Sequence, residues 1–179
     1  RRLRKTVGGL STRYLWNGDN LVAELNDNGS PLREYSYYPG TDHPHAVRRD
    51  SDGAVFYYAM EQPGHVTGLL NTNNQLVNYY EYEPFGKPIA ASEQVTQPFR
   101  FAGREYDAET GLYYMRARYY DPQLGRFISE DPIGIAGGMN PFVYAANNPV
   151  NYVDPTGMCP VEQLIITVGE DGELKAECP

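Results

Sequence analysis

Arg116-Ala117-Arg118-Tyr119-Tyr120-Asp121-Pro122, continuing through Leu124-Gly125-Arg126-Phe127 and Asp131-Pro132-Ile133-Gly134 to Asp154-Pro155-Thr156-Gly157-Met158, is the stretch on which the reading of this chain turns. It contains three Asp-Pro pairs, two of them in the form Asp-Pro-x-Gly. Proline fixes φ and lacks an N–H, the residue before it is pushed into extended geometry, and the following glycine admits φ > 0. A segment punctuated in this way is irregular and rigid. It reads as a plug closing whatever precedes it.

What precedes it reads as strands. Aromatic-rich stretches such as Leu32-Arg33-Glu34-Tyr35-Ser36-Tyr37-Tyr38, Ala54-Val55-Phe56-Tyr57-Tyr58 and Gln75-Leu76-Val77-Asn78-Tyr79-Tyr80 alternate with turns at Asn17-Gly18, Asn28-Gly29, Asp52-Gly53 and Asn73-Asn74. Alternation of period two between Asn-Gly or Asp-Gly turns is the hairpin pattern. Turn centres recur every ~20–25 residues, which makes a degenerate β repeat. Two units also end alike, Tyr35-x-Tyr37-Tyr38-Pro39-Gly40 and Tyr80-x-Tyr82-Glu83-Pro84-Phe85-Gly86. Stacked repeats shield one another, and an uncapped end exposes an edge. So few repeats are expected to continue upstream into more. Residues 89–98 read as a polar loop, 112–120 as a strong strand, and helical turns are expected only near 129–131 and 140–146.

Composition agrees with a mostly β fold with little helix: 16 Tyr, 18 Gly and 14 Pro in 179 residues. Tyrosine has an apolar body and a polar tip, which suits half-wet strands. A net charge of −8 argues against a nucleic-acid-binding surface, which needs clustered Lys and Arg. The basic cluster Arg1, Arg2, Arg4 and Lys5 reads as a solvated terminus. No apolar run approaches the ~20 residues of a membrane span, and the first residue is not Met, as in a chain cut from a larger one. Cys159 and Cys178 are too few for a disulfide framework or zinc site. Asp42, His43 and His45 read as an exposed turn before a metal site, so no metal or cofactor is expected. Beyond Gly157 the style changes to a β-prone, acidic tail with one Lys against five acids.

Residues 99–158 closely resemble the core segment of the rearrangement-hotspot (Rhs) family. The motifs are Gly103-Arg104-Glu105-Tyr106-Asp107, Gly111-Leu112-Tyr113-Tyr114, Arg118-Tyr119-Tyr120-Asp121-Pro122-x-Leu124-Gly125-Arg126-Phe127, Ser129-x-Asp131-Pro132-Ile133-Gly134, Asn147-Asn148-Pro149-Val150-Asn151 and Asp154-Pro155-Thr156-Gly157. The upstream units resemble that family's Tyr-Asp (YD) repeats. The resemblance implies three parts: YD-type repeats over 1–98, an Rhs core over 99–158 and a variable tail over 159–179. It implies a fragment of a spiralling β-shell that encapsulates a C-terminal toxin, with the core acting as an aspartic-type autoprotease that frees it. The implied setting is bacterial, an exported or injected effector. Its implied partners are its own upstream repeats and tail, toxin-complex or type VI secretion components, and an immunity protein.

Hydrolysis by carboxylates needs two that share a proton. Asp131 and Asp154 are the best pair, both in Asp-Pro-x-Gly turns. Arg118 would orient a carboxylate or stabilise the oxyanion, with Asp121 and Arg126 as second choices. The resemblance places the cut between Met158 and Cys159, with the bond between Gly157 and Met158 next. Cys159 as an intein-like nucleophile is the weaker alternative, because no histidine follows His65 to serve as base. Each Asp-Pro also reads as a plain turn former, and the Tyr pairs 113–114 and 119–120 as packing. The competing reading of the whole chain is a non-catalytic structural, carbohydrate-binding or partner-binding module.

Overall fold

The computed structural model describes residues 1–158 and the backbone of two further strands. Among the described residues, nine strands form an antiparallel meander in chain order: β1 (Arg4–Val7), β2 (Leu10–Asn17), β3 (Asn20–Leu25), β4 (Pro31–Tyr37), β5 (Pro44–Arg49), β6 (Val55–Glu61), β7 (His65–Asn71), β8 (Leu76–Tyr82) and β9 (Pro88–Glu93). A second antiparallel sheet holds β10 (Glu105–Asp107), β11 (Leu112–Met115), β12 (Arg118–Asp121) and β13 (Arg126–Phe127). In the tail, β14 (Ile165–Val168) pairs with β15 (Leu174–Glu177). Cys159 and Cys178 lie outside the described residues.

The repeat has a longer period than turn spacing suggests. Asn26 and Asn71 do the same work 45 residues apart, each side-chain oxygen accepting two backbone N–H groups of the turn that follows. Tyr37 and Tyr82 share that offset, their hydroxyls donating to the carbonyls of Leu21 and Val66, both at 2.8 Å. One unit is therefore four strands. Six of the ladders shift register, as between Ser36 and Tyr37 or Glu81 and Tyr82. Bulges of this kind bend a strand and increase its twist, which curls the sheet.

Two cores result. One face of the long sheet packs Tyr14, Leu21, Tyr35, Val47, Phe56, Val66, Leu69 and Tyr80 around Val95 and Phe99. The repeats bury this core together with the chain after β9, which folds back to cover it. The second core joins Phe101, Tyr113, Met115, Tyr120, Phe127 and Tyr144. The Tyr113 and Tyr120 hydroxyls donate to the carbonyls of Gly86 (2.9 Å) and Phe85 (2.7 Å), which dock the second sheet on the Pro84-Phe85-Gly86 end of the repeats.

Three expectations need correction. Residues 88–93 form strand β9, not a loop, because an edge strand needs only backbone pairing with β8 and this one buries little side chain. The helical turns fall at Phe101–Gly103, Gly134–Gly137 and Ala145–Asn147, leaving 129–131 non-helical. Arg2 does not belong to a solvated terminus. It is half-buried, lies over the rings of Tyr14 and Tyr114, each 4.8 Å away, and ion-pairs with Asp107.

His65 ties the two cores together. Its ring stacks on Phe101 at 4.3 Å, and its Nδ1 accepts the Ala102 N–H at 3.0 Å. Burial lowers its pKa from the usual 6.5 to about 4. The neutral form is the one that fits, so its contribution is intact above pH 6.5 and is lost as pH falls toward 4. Comparing denaturant midpoints at pH 7.5 and 4.5, the native chain should lose roughly 2 kcal/mol more than His65→Gln, which keeps an acceptor but does not titrate.

Candidate active site

The site is built on the tip of the hairpin between β11 and β12. Met115 pairs with Arg118, leaving Arg116 and Ala117 as the turn, with Arg116 at φ 50°. Against this tip lies the turn Asp154-Pro155-Thr156-Gly157. Gly157 is required there: its φ is 71°, and a Cβ would fall 2.0 Å from the Met115 carbonyl oxygen. Three consecutive residues of the tip hold three consecutive carbonyls of the turn. Arg116 Nη1 donates to Pro155 O, the Ala117 N–H to Thr156 O at 3.2 Å, and Arg118 Nε to Gly157 O.

Arg118 is the centre. Its guanidinium is buried and lies 3.5 Å from the centroid of the Phe127 ring. Nη2 reaches Asp131 Oδ2 at 2.9 Å and Asp154 Oδ2 at 3.2 Å, while Nη1 donates to Pro141 O at 3.0 Å. Burial pulls its pKa down and the two carboxylates pull it back up, with burial the larger effect. A guanidinium nonetheless stays charged in proteins.

The two carboxylates are held differently. Asp131 Oδ1 accepts the Ile133 N–H at 3.0 Å, its carbonyl accepts Gly134 N–H at 2.9 Å, and its own N–H donates to Pro141 O at 2.9 Å. Gly137 folds back against this carboxylate so closely that a Cβ would sit 2.8 Å from Oδ2. Asp154 Oδ1 accepts three donors, the N–H groups of Gly157 (2.9 Å) and Met158 (3.1 Å) and the Thr156 hydroxyl (3.2 Å). A cavity of about 150 Å³, lined by Asp42, His43, Gly64, Ala102, Asp154 and Pro155 among others, adjoins Asp154. It has room for a few waters at ~30 Å³ each.

The structure thus brings Arg118, Asp131, Asp154, Gly157 and Met158 together; Cys159 lies outside the described residues. Asp121 and Arg126 sit at the other end of β12, where Asp121 Oδ1 accepts the N–H groups of Gln123 and Leu124 and Arg126 lies over Phe142. Arg116, Gly137 and Pro141 are contributors that the motifs alone did not single out. Among the described residues no group of three or more His, Cys, Asp or Glu could hold a metal ion. Asp42 is instead paired with Arg104 and Arg116.

Residues 2–148 match the family model for the teneurin YD-shell. This chain belongs to the Rhs/YD-repeat family. The match includes Arg118 and Asp131 and stops short of Asp154. The YD-repeat chain is 34% identical over 165 residues to the tRNA nuclease WapA of Bacillus subtilis (strain 168), covering 87% of this chain and 7% of that protein. It is 34% identical over 167 residues to the double-stranded DNA deaminase toxin A of Burkholderia cenocepacia (strain H111), covering 82% and 12%. Over 62 residues it is 55% identical to the toxin protein Tse5 of Pseudomonas aeruginosa, covering 35% and 5%. A crystal structure of TcdB2-TccC3 superposes with a TM-score of 0.64 at 26% identity, over 87% of this chain and 8% of that one. The chain therefore spans a small fraction of each relative, and what it represents is a piece of a YD-shell.

The docking of the turn can be tested at Gly157. Gly157→Ala should cost on the order of 2 kcal/mol, since it combines a positive φ with a backbone clash. Denaturant unfolding, together with faster amide exchange at Met158, would read the displaced turn.

Proposed function

We propose that this chain is the closing part of a bacterial toxin shell that encapsulates its own C-terminal polypeptide and releases it by a single self-cleavage. The division proposed is YD repeats over 1–98, the core over 99–158 and the released tail from 159. The supporting observation is that one buried guanidinium gathers Asp131, Asp154 and the carbonyl of Gly157.

In this reading Asp131 is the general base. It takes a proton from water as the water oxygen bonds to the scissile carbonyl carbon and the carbonyl oxygen becomes an oxyanion; the oxyanion then collapses, the C–N bond breaks, and the leaving amine takes that proton back from Asp131. Arg118 stabilises developing negative charge and anchors the substrate strand. Asp154 folds the turn that presents it. The family resemblance puts the cut between Met158 and Cys159, one bond past the carbonyl that Arg118 holds. The bond between Gly157 and Met158, whose carbonyl it is, is the second choice. The proposed partners are the upstream repeats, the tail, toxin-complex or type VI secretion components and an immunity protein, in an exported or injected effector.

A second reading has its own support. Asp154 Oδ1 is engaged by three donors of its own turn, and a triad so paired also serves as a structural staple in a non-catalytic module. Intact-mass analysis of fresh protein at neutral pH separates the two. Self-cleavage predicts a fragment starting at Cys159 and at least a ~100-fold slower reaction in Asp131→Asn. A fragment starting at Met158 would move the cut by one bond. One starting at Pro155 would indicate acid scission of Asp-Pro. A chain that stays whole leaves the staple.

A further inference from the structure

The three carbonyl anchors of the 155–157 segment are not equivalent. Ala117 and Arg118 hold Thr156 and Gly157 from within the second sheet, whereas Arg116 reaches across to the long one. Its Nη1 and Nη2 bind the Asp42 carboxylate in a fork at 2.9 and 2.7 Å, and Nη2 also donates to the Asp19 carbonyl at 3.1 Å. Asp19 and Asp42 sit in the β2–β3 and β4–β5 connections, so one guanidinium joins two sheet turns to the carbonyl of Pro155. Asp42 is itself backed by Arg104, which is fully buried and also paired with Glu105 at 2.9 Å. Both partners adopt left-handed backbone without being glycine, Asp42 at φ 61° and Arg116 at φ 50°. Such conformations cost roughly 1–3 kcal/mol each and persist where the surroundings over-determine them. A fork between a planar guanidinium and a carboxylate fixes orientation as well as distance.

We propose that Asp42 and Arg116 are positioning residues that make presentation of the cleavage turn conditional on the repeat sheet being in place. This deepens the self-cleavage reading and rests on it for its biological sense, but the coupling itself is a property of the fold. When the β4–β5 connection is seated, Asp42 aims Arg116 at Pro155 and the 155–157 segment is held at all three carbonyls. When it is not, the segment loses the anchor on Pro155 and keeps those on Thr156 and Gly157. A shell built this way would cut more slowly until its wall is closed.

The test uses the 179-residue chain in two backgrounds. In Asp131→Asn, where cleavage is suppressed, Asp42→Asn and Arg116→Gln should each speed amide exchange at Gly157 and Met158 about tenfold, and the double variant should go no further. Lys5→Met serves as control. It breaks the ion pairs of Lys5 with Asp107 and Glu109, which also bridge the two sheets but do not touch the turn, and it should leave exchange at 157–158 unchanged. In the otherwise native chain the same two substitutions should slow self-cleavage about tenfold, with Arg116→Lys recovering part of the rate. Unchanged exchange in both Asp42→Asn and Arg116→Gln overturns the proposal, as does an equal effect from Lys5→Met, which would mean general loosening. If Arg116→Gln does not fold, Asp42→Asn and Arg116→Lys decide it by the same readout. A native chain that never cleaves defeats the protease reading alone, since the exchange measurements still judge the coupling.

Discussion

A guanidinium buried against Phe127 cannot remain unpaired, and this constraint organises the end of the chain. Desolvating one charge costs several kcal/mol, and removing a single partner from a buried pair typically costs ~3–5 kcal/mol. Arg118 meets the constraint with four groups from two places: Asp131 and Pro141 from the irregular middle of the core, and Asp154 and Gly157 from its end. No one of these segments is regular enough to fold alone. Each is fixed by what it brings to the same side chain. The Asp-Pro stops and glycine turns supply the reversals, and Arg118 supplies the reason for them to converge.

The abundance of tyrosine has a related cause. Irregular and bulged backbone leaves carbonyls without a ladder partner, and burying them unsatisfied is costly. Tyr37, Tyr82, Tyr113 and Tyr120 each carry an apolar ring into a core and place a hydroxyl on a backbone carbonyl beside a register shift or a turn. Burial pushes the pKa of all four upward, so they stay neutral donors. Phenylalanine would fill the same space and leave the carbonyls bare. A repeat whose strands are bent by bulges therefore selects Tyr over Phe, and this is the bias seen in the composition.

What could be read from the residues was what local geometry controls. Asn26-Asp27-Asn28-Gly29 and Asn71-Thr72-Asn73-Asn74 are turns because their asparagines satisfy the backbone of the turn itself, so the hairpins were legible. Arg118, Asp131 and Asp154 were singled out by the family resemblance and the Asp-Pro-x-Gly turns, and the structure brings both carboxylates within hydrogen-bond distance of Arg118 Nη2. The 45-residue unit was signalled by the like endings at Tyr35-x-Tyr37 and Tyr80-x-Tyr82, but turn spacing alone pointed to half that period, because every hairpin has a turn and only alternate turns carry the equivalent asparagine. β9 was hidden because an exposed edge strand has no apolar face to alternate. The pairing of Arg2 with Asp107, and of Arg116 with Asp42, joins residues about a hundred and about seventy positions apart. No periodicity encodes such a contact.

The unequal surroundings of the two carboxylates carry a consequence for self-cleavage. Asp154 spends Oδ1 on three donors of the very turn it presents, whereas Asp131 Oδ1 accepts the Ile133 N–H and its Oδ2 lies against Gly137. In that reading the water-activating role falls to Asp131, and Asp154 is the brace. Hydrolysis at either proposed bond would then create a new carboxylate beside these two, around the Arg118 guanidinium that already pairs with both. Like charges at such spacing repel strongly in a buried setting. The reverse reaction would need that crowded carboxylate protonated and the departed amine returned to the same place. A site that acts once would gain from this arrangement: in the self-cleavage reading, the charge balance that holds the uncut turn in position is the balance that a cut would upset.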